Sequence, residues 1–247
     1  MRFPVDLHTH TIASDHAYST IEECIHRASV NKLAMFATTD HGPSLSDAPH
    51  LWHFHNLRVI PRVVENVCVL RGVEANIMQH GGLDLEEASL KRLDIVLAGF
   101  HPSCPPLDEA THTRLMLEVI KSGLVDVISH PGAPNYPVDY EAVLECAKAE
   151  GVAVEINSSS DVNTRMGSHA NCVKVATLCK KIGNVISLGT DAHISFFMGN
   201  FTESERVLAE AGVSDDQIIN TSPQKVLRFL ESRGHSPIQE MHEFLGF

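Results

Sequence analysis

Seven short apolar, β-branched runs recur along the chain, at Pro4–His8, Met35–Thr39, Val67–Glu74, Ile95–Phe100, Val125–Ser129, Val152–Ile156 and Val185–Leu188. Helical periodicity fills much of the space between them, at Thr20–Val30, His112–Lys121, Tyr140–Glu150 and Asn171–Ile182. Ser19-x-x-Glu22 reads as a capping box, and Gly123, Gly151 and Gly183 read as helix stops. Parallel strands need crossover helices, so this alternation predicts an α/β fold with a parallel sheet. Seven or eight units around one core close into a barrel more readily than they open into a doubly wound sheet. We therefore expect one domain over residues 1–247, a (βα)7-type barrel. Two further helices, Glu203–Ala211 and Pro223–Ser232, are expected to pack outside it or to close it.

With 43% hydrophobic and 20% charged residues, the chain has enough apolar material for a sizeable core. No stretch has the length of uncharged apolar sequence needed to span a bilayer, and Asp6 comes too early for a secretory leader. A cytoplasmic location is expected, with the six cysteines reduced, since they are widely spaced and form no C-x-x-C. The sequons at Asn157, Asn200 and Asn220 then carry no meaning. A formal charge of −12 repels polyanions, which makes nucleic acid an unlikely partner.

Sixteen histidines against one tryptophan and three tyrosines are the unusual count, because imidazole is the commonest neutral metal ligand. Nearly every proposed strand ends in a ligand-type side chain: His8 and His10, Asp40–His41, Glu74, His101, His130, then Asp191 and His193. The carboxyl ends of barrel strands converge on one face, so these residues are expected to meet there. In the i, i+2 pairs His8-x-His10 and Asp191-x-His193, alternate residues of extended chain project to one side and can grip one ion or two adjacent ones.

These residues sit in the segments Asp6-Leu7-His8-Thr9-His10-Thr11, Thr38-Thr39-Asp40-His41-Gly42, Gly72-Val73-Glu74-Ala75-Asn76, Gly99-Phe100-His101, Ser129-His130-Pro131-Gly132 and Gly189-Thr190-Asp191-Ala192-His193. Through them the sequence resembles the PHP (polymerase and histidinol phosphatase) family over almost its whole length. It resembles in particular the short bacterial single-domain phosphatases, for which Asp47-Ala48-Pro49-His50, Pro61-Arg62-Val63-Val64 and Phe229-Leu230-Glu231-Ser232-Arg233-Gly234 are further points of similarity. The resemblance implies a distorted (βα)7, TIM-like barrel holding three divalent metal ions. By similarity His8, His10, Glu74 and Asp191 would hold one ion. Glu74 would bridge to a second, shared with His101 and His130, and His16, His41 and His193 would hold the third.

Seven nitrogens with two carboxylates suit Zn2+ first, with Mn2+ or Fe2+ next, better than calcium or magnesium. Three divalent ions against two carboxylates leave an excess of positive charge that a phosphate dianion fits. The expected reaction is hydrolysis of a small phosphorylated metabolite, a phosphomonoester, by attack of a metal-bound hydroxide on phosphorus. Asp191 or His193 would assist proton transfer to the leaving group. The rivals are a phosphodiesterase or exonuclease on the same scaffold, and a non-catalytic metal-binding protein. The resemblance also allows a closed homo-oligomer.

Around the ligands, Asp40, beside His41, is expected to orient an imidazole and not to be a direct ligand. Asp6 is either a group behind the ligands or a satisfied polar residue beneath the site. Asn157, with Ser158–Ser160 and Arg165, follows the one strand that ends without a histidine, and is a candidate phosphate grip. Arg165 leads there, with Arg58 and Arg62 behind it. The segment Gly42–Asn56, with His50, Trp52, His53, Phe54 and His55, either covers the pocket or packs on the barrel rim.

Overall fold

The computed structural model describes residues 2–161 and 165–247. Its strands are β1 Val5–Thr9, β2 Met35–Thr38, β3 Val63–Val64, β4 Val67–Asn76, β5 Ile95–Gly99, β6 Val127–Ile128, β7 Ala153–Asn157 and β8 Ile186–Gly189. The helices are α1 Ile21–Val30, α2 Leu51–Asn56, α3 Glu87–Leu90, α4 Glu109–Lys121, α5 Tyr140–Glu150, α6 His169–Ile182, α7 Thr202–Ala211, α8 Pro223–Ser232 and α9 Gln239–Leu245. The sheet order β1-β2-β4-β5-β6-β7-β8 follows the chain and every pairing on this path is parallel, as the strand-helix alternation predicts. The seam between β1 and β8 is closed beyond the strand ends by His10 N–H to Ala192 O (3.0 Å) and Asp191 N–H to His8 O (2.8 Å). The sheet is thus a nearly closed barrel.

Alternation along each strand divides the core. Val5 and Leu7, Met35 and Ala37, Cys68 and Leu70, and Ile95 and Leu97 fill the interior, where Val226, Leu227 and Leu230 of α8 plug the amino-terminal end. Phe36, Val69, Ala98 and Val154 face outward beneath the ring of helices. Of the two helices expected to pack outside or to close the barrel, α8 closes it, whereas Val207, Leu208 and Ala211 of α7 pack in the outer layer. All six cysteines are free.

One helix start differs from expectation. Thr20, not Ser19, caps α1: its side chain accepts from Glu23 N–H (3.3 Å), and the Glu23 carboxylate accepts from Thr20 N–H (2.7 Å). Ser19 is buried and its hydroxyl instead accepts from Ser195 N–H (3.0 Å), tying down the segment after His193. The sequence contains both reading frames of the box, and the tertiary contact selects one.

Below the barrel, Asp126 accepts from Val96 N–H (2.8 Å) and lies 3.0 Å from His235 Nε2. Burial pushes the His235 imidazole down, but the hydrogen bond and charge of Asp126 more than offset this and its pKa is raised. A raised folded-state pKa contributes stability that is full below the unfolded value and is lost as pH rises through the folded value. The melting-temperature gap between wild type and His235→Gln should therefore shrink as pH rises from about 6 through the raised folded value, and a constant gap would show that Asp126 does not shift the titration of the ring.

Candidate metal centre

The side chains His8, His10, His16, His41, Glu74, His101, His130, Asp191 and His193 meet at the carboxyl ends of the strands. Glu74, at the middle of the ring and fully buried, touches five imidazoles. Its Oε1 lies 2.7 Å from His130 Nε2 and 3.1 Å from His101 Nε2. Its Oε2 lies 3.0 Å from His41 Nδ1, 3.2 Å from His8 Nε2 and 3.6 Å from His10 Nε2. Asp191 Oδ1 is 3.1 Å from His10 Nε2, 3.6 Å from His8 Nε2 and 3.4 Å from His193 Nδ1. His16, more exposed than the rest, joins through its Nε2, 2.9 Å from His193 Nε2.

The donor atoms fit cations. His10 Nδ1, His41 Nδ1, both nitrogens of His101, Glu74 Oε2 and Asp191 Oδ1 are buried without an aligned hydrogen-bond partner, a costly arrangement for protein groups alone. His8 Nε2 and His10 Nε2 face each other at 3.1 Å, as do His16 and His193 at 2.9 Å, and two imidazole lone pairs can face only across a proton or a cation. Among the described residues, ligand atoms within 4.8 Å of one another group as His8, His10 and Asp191; as His10, His41 and His193; and as His41, Glu74 and His101. His41 thus lies between the Glu74 side and the His193 side of the cluster.

Electrostatics hold both carboxylates ionised and His10 neutral, whereas at His8 burial is outweighed by the charges of Glu74, Glu155 and Asp191, which raise its pKa well above the usual imidazole value. Burial disfavours ionisation of Glu74, but His101, His8 and His130 outweigh it and hold its carboxyl well below the usual range. Asp191 is likewise held well below that range, burial being outweighed by Arg165 and His8. His10 is kept neutral by burial and by the rings of His41 and His193.

Behind the ligands stands Glu155, which the sequence reading passed over. Its Oε1 lies 2.7 Å from His8 Nδ1 and its Oε2 accepts from His130 N–H (2.8 Å), so one buried carboxylate orients two ligands. Its signal was an acid within the apolar run Val152–Ile156. Glu155→Gln should weaken metal retention by about 10- to 100-fold, measured by competition with a chromophoric chelator. Unchanged retention would remove Glu155 from the centre. His16 Nδ1 is similarly held by Asp47 at 2.6 Å.

Asp40 does not orient the His41 ring. It accepts from Thr11 N–H (2.8 Å), Thr11 Oγ1 (2.8 Å) and Ser14 Oγ (2.9 Å), and lies 3.2 Å from His53 Nε2, so it fixes the loop that carries His10 and His16. The imidazole that it meets is that of His53. Asp6 is a satisfied polar residue in the β1–β8 seam, accepting from Thr190 Oγ1 (2.6 Å), Thr190 N–H (3.0 Å) and Gly199 N–H (3.0 Å).

Arg165 pairs with Asp191 Oδ2 at the centre. Asn157 is buried, donating to Glu155 Oε2 (3.1 Å) and Asp191 Oδ2 (3.3 Å) and accepting from Ser159 N–H (2.7 Å), so its amide braces carboxylates. Arg58 and Arg62 both lie away from the centre, at the cavity by the start of β5, where Arg62 clasps Asp94. Of the Gly42–Asn56 segment, Phe54 packs inward, His53 meets Asp40 and Trp52 stands exposed.

A parallel α/β barrel with a histidine-rich cluster at its carboxyl ends defines a metal-dependent hydrolase architecture. The chain belongs to the PHP domain family, whose pattern matches residues 6–212. It is 49% identical over 243 residues to a "probable phosphatase" of Shewanella sp. (strain MR-4), covering 98% of this chain and 96% of that one. A "probable phosphatase" of Pectobacterium carotovorum is 48% identical over 241 residues, covering 97% and 98%. In fold it is similar to the histidinol phosphate phosphatase of Lactococcus lactis, solved with zinc, L-histidinol and phosphate, at a TM-score of 0.64 and 15% identity over 86% of this chain and 95% of that one.

Proposed function

We propose that this PHP-family phosphatase hydrolyses small phosphomonoesters at a centre of three divalent ions, zinc first among the candidates. The observation that carries the reading is the convergence of seven imidazoles and two ionised carboxylates, with orphaned lone pairs, beside one arginine. We assign His8, His10, Glu74 and Asp191 to one ion, Glu74, His101 and His130 to a second, and His16, His41 and His193 to the third. When bound, such ions acidify water and neutralise charge developing on phosphoryl oxygens.

The chain's own groups supply the rest. Glu74 and Asp191 hold negative charge where cations gather, and Glu155 and Asp47 fix ring orientation. Arg165 is anchored to Asp191 through one guanidinium nitrogen, leaving further N–H donors for phosphate oxygens. Asp191, or His193 on the more open side of the cluster, would assist proton transfer to the leaving oxygen. A surface charge of −12 disfavours extended polynucleotide substrates. No helix among the described residues is long and apolar enough to cross a membrane.

The test compares turnover of a simple aryl phosphomonoester with that of its diester, alongside elemental analysis of the purified protein. Preference for the monoester, lost in a folded His10→Ala variant, is expected. Preference for the diester would replace this reading with a phosphodiesterase. Metal binding without turnover of either substrate would leave a non-catalytic metal-binding protein.

A further inference from the structure

We infer that the amino-terminal end of the barrel, opposite the metal centre, carries a second binding site for a small phosphorylated anion. A cavity of about 760 Å³ lies there between the segment after α2, the starts of β5 and β6, and the turn from α8 to α9. Five of the chain's eleven arginines line it: Arg58, Arg62, Arg71, Arg92 and Arg233. In a chain of net charge −12 that convergence runs against the composition.

The acids around the cavity, Glu240 apart, are already engaged. Asp94 takes Arg62 through two nitrogens, one at 2.9 Å, and also accepts from Arg71 N–H (2.7 Å). Asp126 is occupied by Val96 N–H and His235, with Arg233 Nε 3.7 Å away. Glu231 lies 2.7 Å from His242 Nε2, and Glu240 is exposed at the edge. Lys91 pairs with Glu87 at 2.5 Å.

Among the described residues, Arg58, Arg71 and Arg92 have no carboxylate within ion-pair distance. Arg71 reaches only the carbonyl of Ile60, and its Nε is buried without a partner. Burial and the neighbouring Arg62 charge both disfavour the Arg71 cation. The partly buried Arg71 and the exposed Arg58 and Arg92, none of them in an ion pair, stand around a metabolite-sized space and present forked donors matched to phosphate oxygens. Pro61–Val64 and Phe229–Gly234, which the metal centre leaves unexplained, both contribute to this wall through Arg62 and Arg233.

The site is tested by titrating the metal-loaded protein with inorganic phosphate in a calorimeter at low ionic strength. Wild type should bind two phosphates per chain. Arg58→Gln/Arg92→Gln, both exposed and outside the metal centre, should lose one of them, its affinity falling at least about tenfold. Phosphate inhibition of aryl phosphomonoester hydrolysis should be unchanged in that variant. Arg165→Gln should weaken only the other phosphate, which separates the two sites even in a protein without turnover. Trp52, the sole tryptophan, lines the adjoining recess together with Arg58 and Arg92, and its fluorescence should follow the basal event alone. Equal stoichiometry in wild type and the double variant, or a single wild-type phosphate that competes with substrate, would overturn the inference.

Discussion

Replacing Glu74 by glutamine is expected to reduce phosphomonoester turnover by at least about 10³-fold, because it removes preorganised charge from the middle of the site. The substitution is nearly isosteric, so the loss reports charge and not shape. Glu74 lies within 3.6 Å of five imidazoles, and no other residue of the cluster touches so many. A glutamine amide would turn an N–H2 group towards His130 and His101 or towards His8 and His41, where a lone pair is required. Elemental analysis should show metal content falling along with the rate. A variant that keeps both its metal and its activity would mean that the carboxylate is not a shared ligand.

Gly189→Ala should be nearly as damaging, although the residue carries no ligand. A methyl group there would run into the Cβ of His8 and the Oε1 of Glu155. His8 Cβ is fixed to the β1 backbone and cannot swing aside. Overpacking of this kind costs about 1–3 kcal/mol. The larger effect is on the reaction, since displacing reacting groups by about 1 Å lowers rates on the order of 10²-fold. We expect a melting temperature several degrees lower, as about 1 kcal/mol shifts a chain of this size by roughly 2–4 °C, and a fall in kcat disproportionate to the change in stability. Wild-type kcat in this variant would show that β1 can yield.

Much of this was legible in the sequence because barrel geometry turns strand ends into neighbours. The strand runs predicted from β-branched residues fall within two residues of those observed, and α5 and α8 begin and end where their caps place them. The residues that meet at the candidate centre could be picked out because, His16 apart, they stand at or just past the carboxyl end of an apolar run. What stayed hidden depends on tertiary contact. The short strand β3 pairs antiparallel with β4 across Glu65–Asn66, whose positive φ angles carry no glycine signal. That Asp40 bonds the loop after β1 and meets His53 comes from chain segments that only the fold brings together. Arg62 could not be assigned to an end of the barrel, because the strand that it leads into, β3, has only two residues and no sequence signal of its own.

Two ligands, His130 and Asp191, adopt left-handed backbone with φ of 34° and 53°. Such conformations cost about 1–3 kcal/mol each and persist only where their surroundings impose them. Asp191 is held there by the amide it gives to His8 O, across the seam that joins the first strand to the last. During synthesis, then, the residues through His130 can emerge and even pair, but the pocket stays open on one side until the segment through His193 has left the ribosome. Metal loading is a late event in the life of the nascent chain, and a ribosome stalled before that point should release a polypeptide that holds its cations poorly.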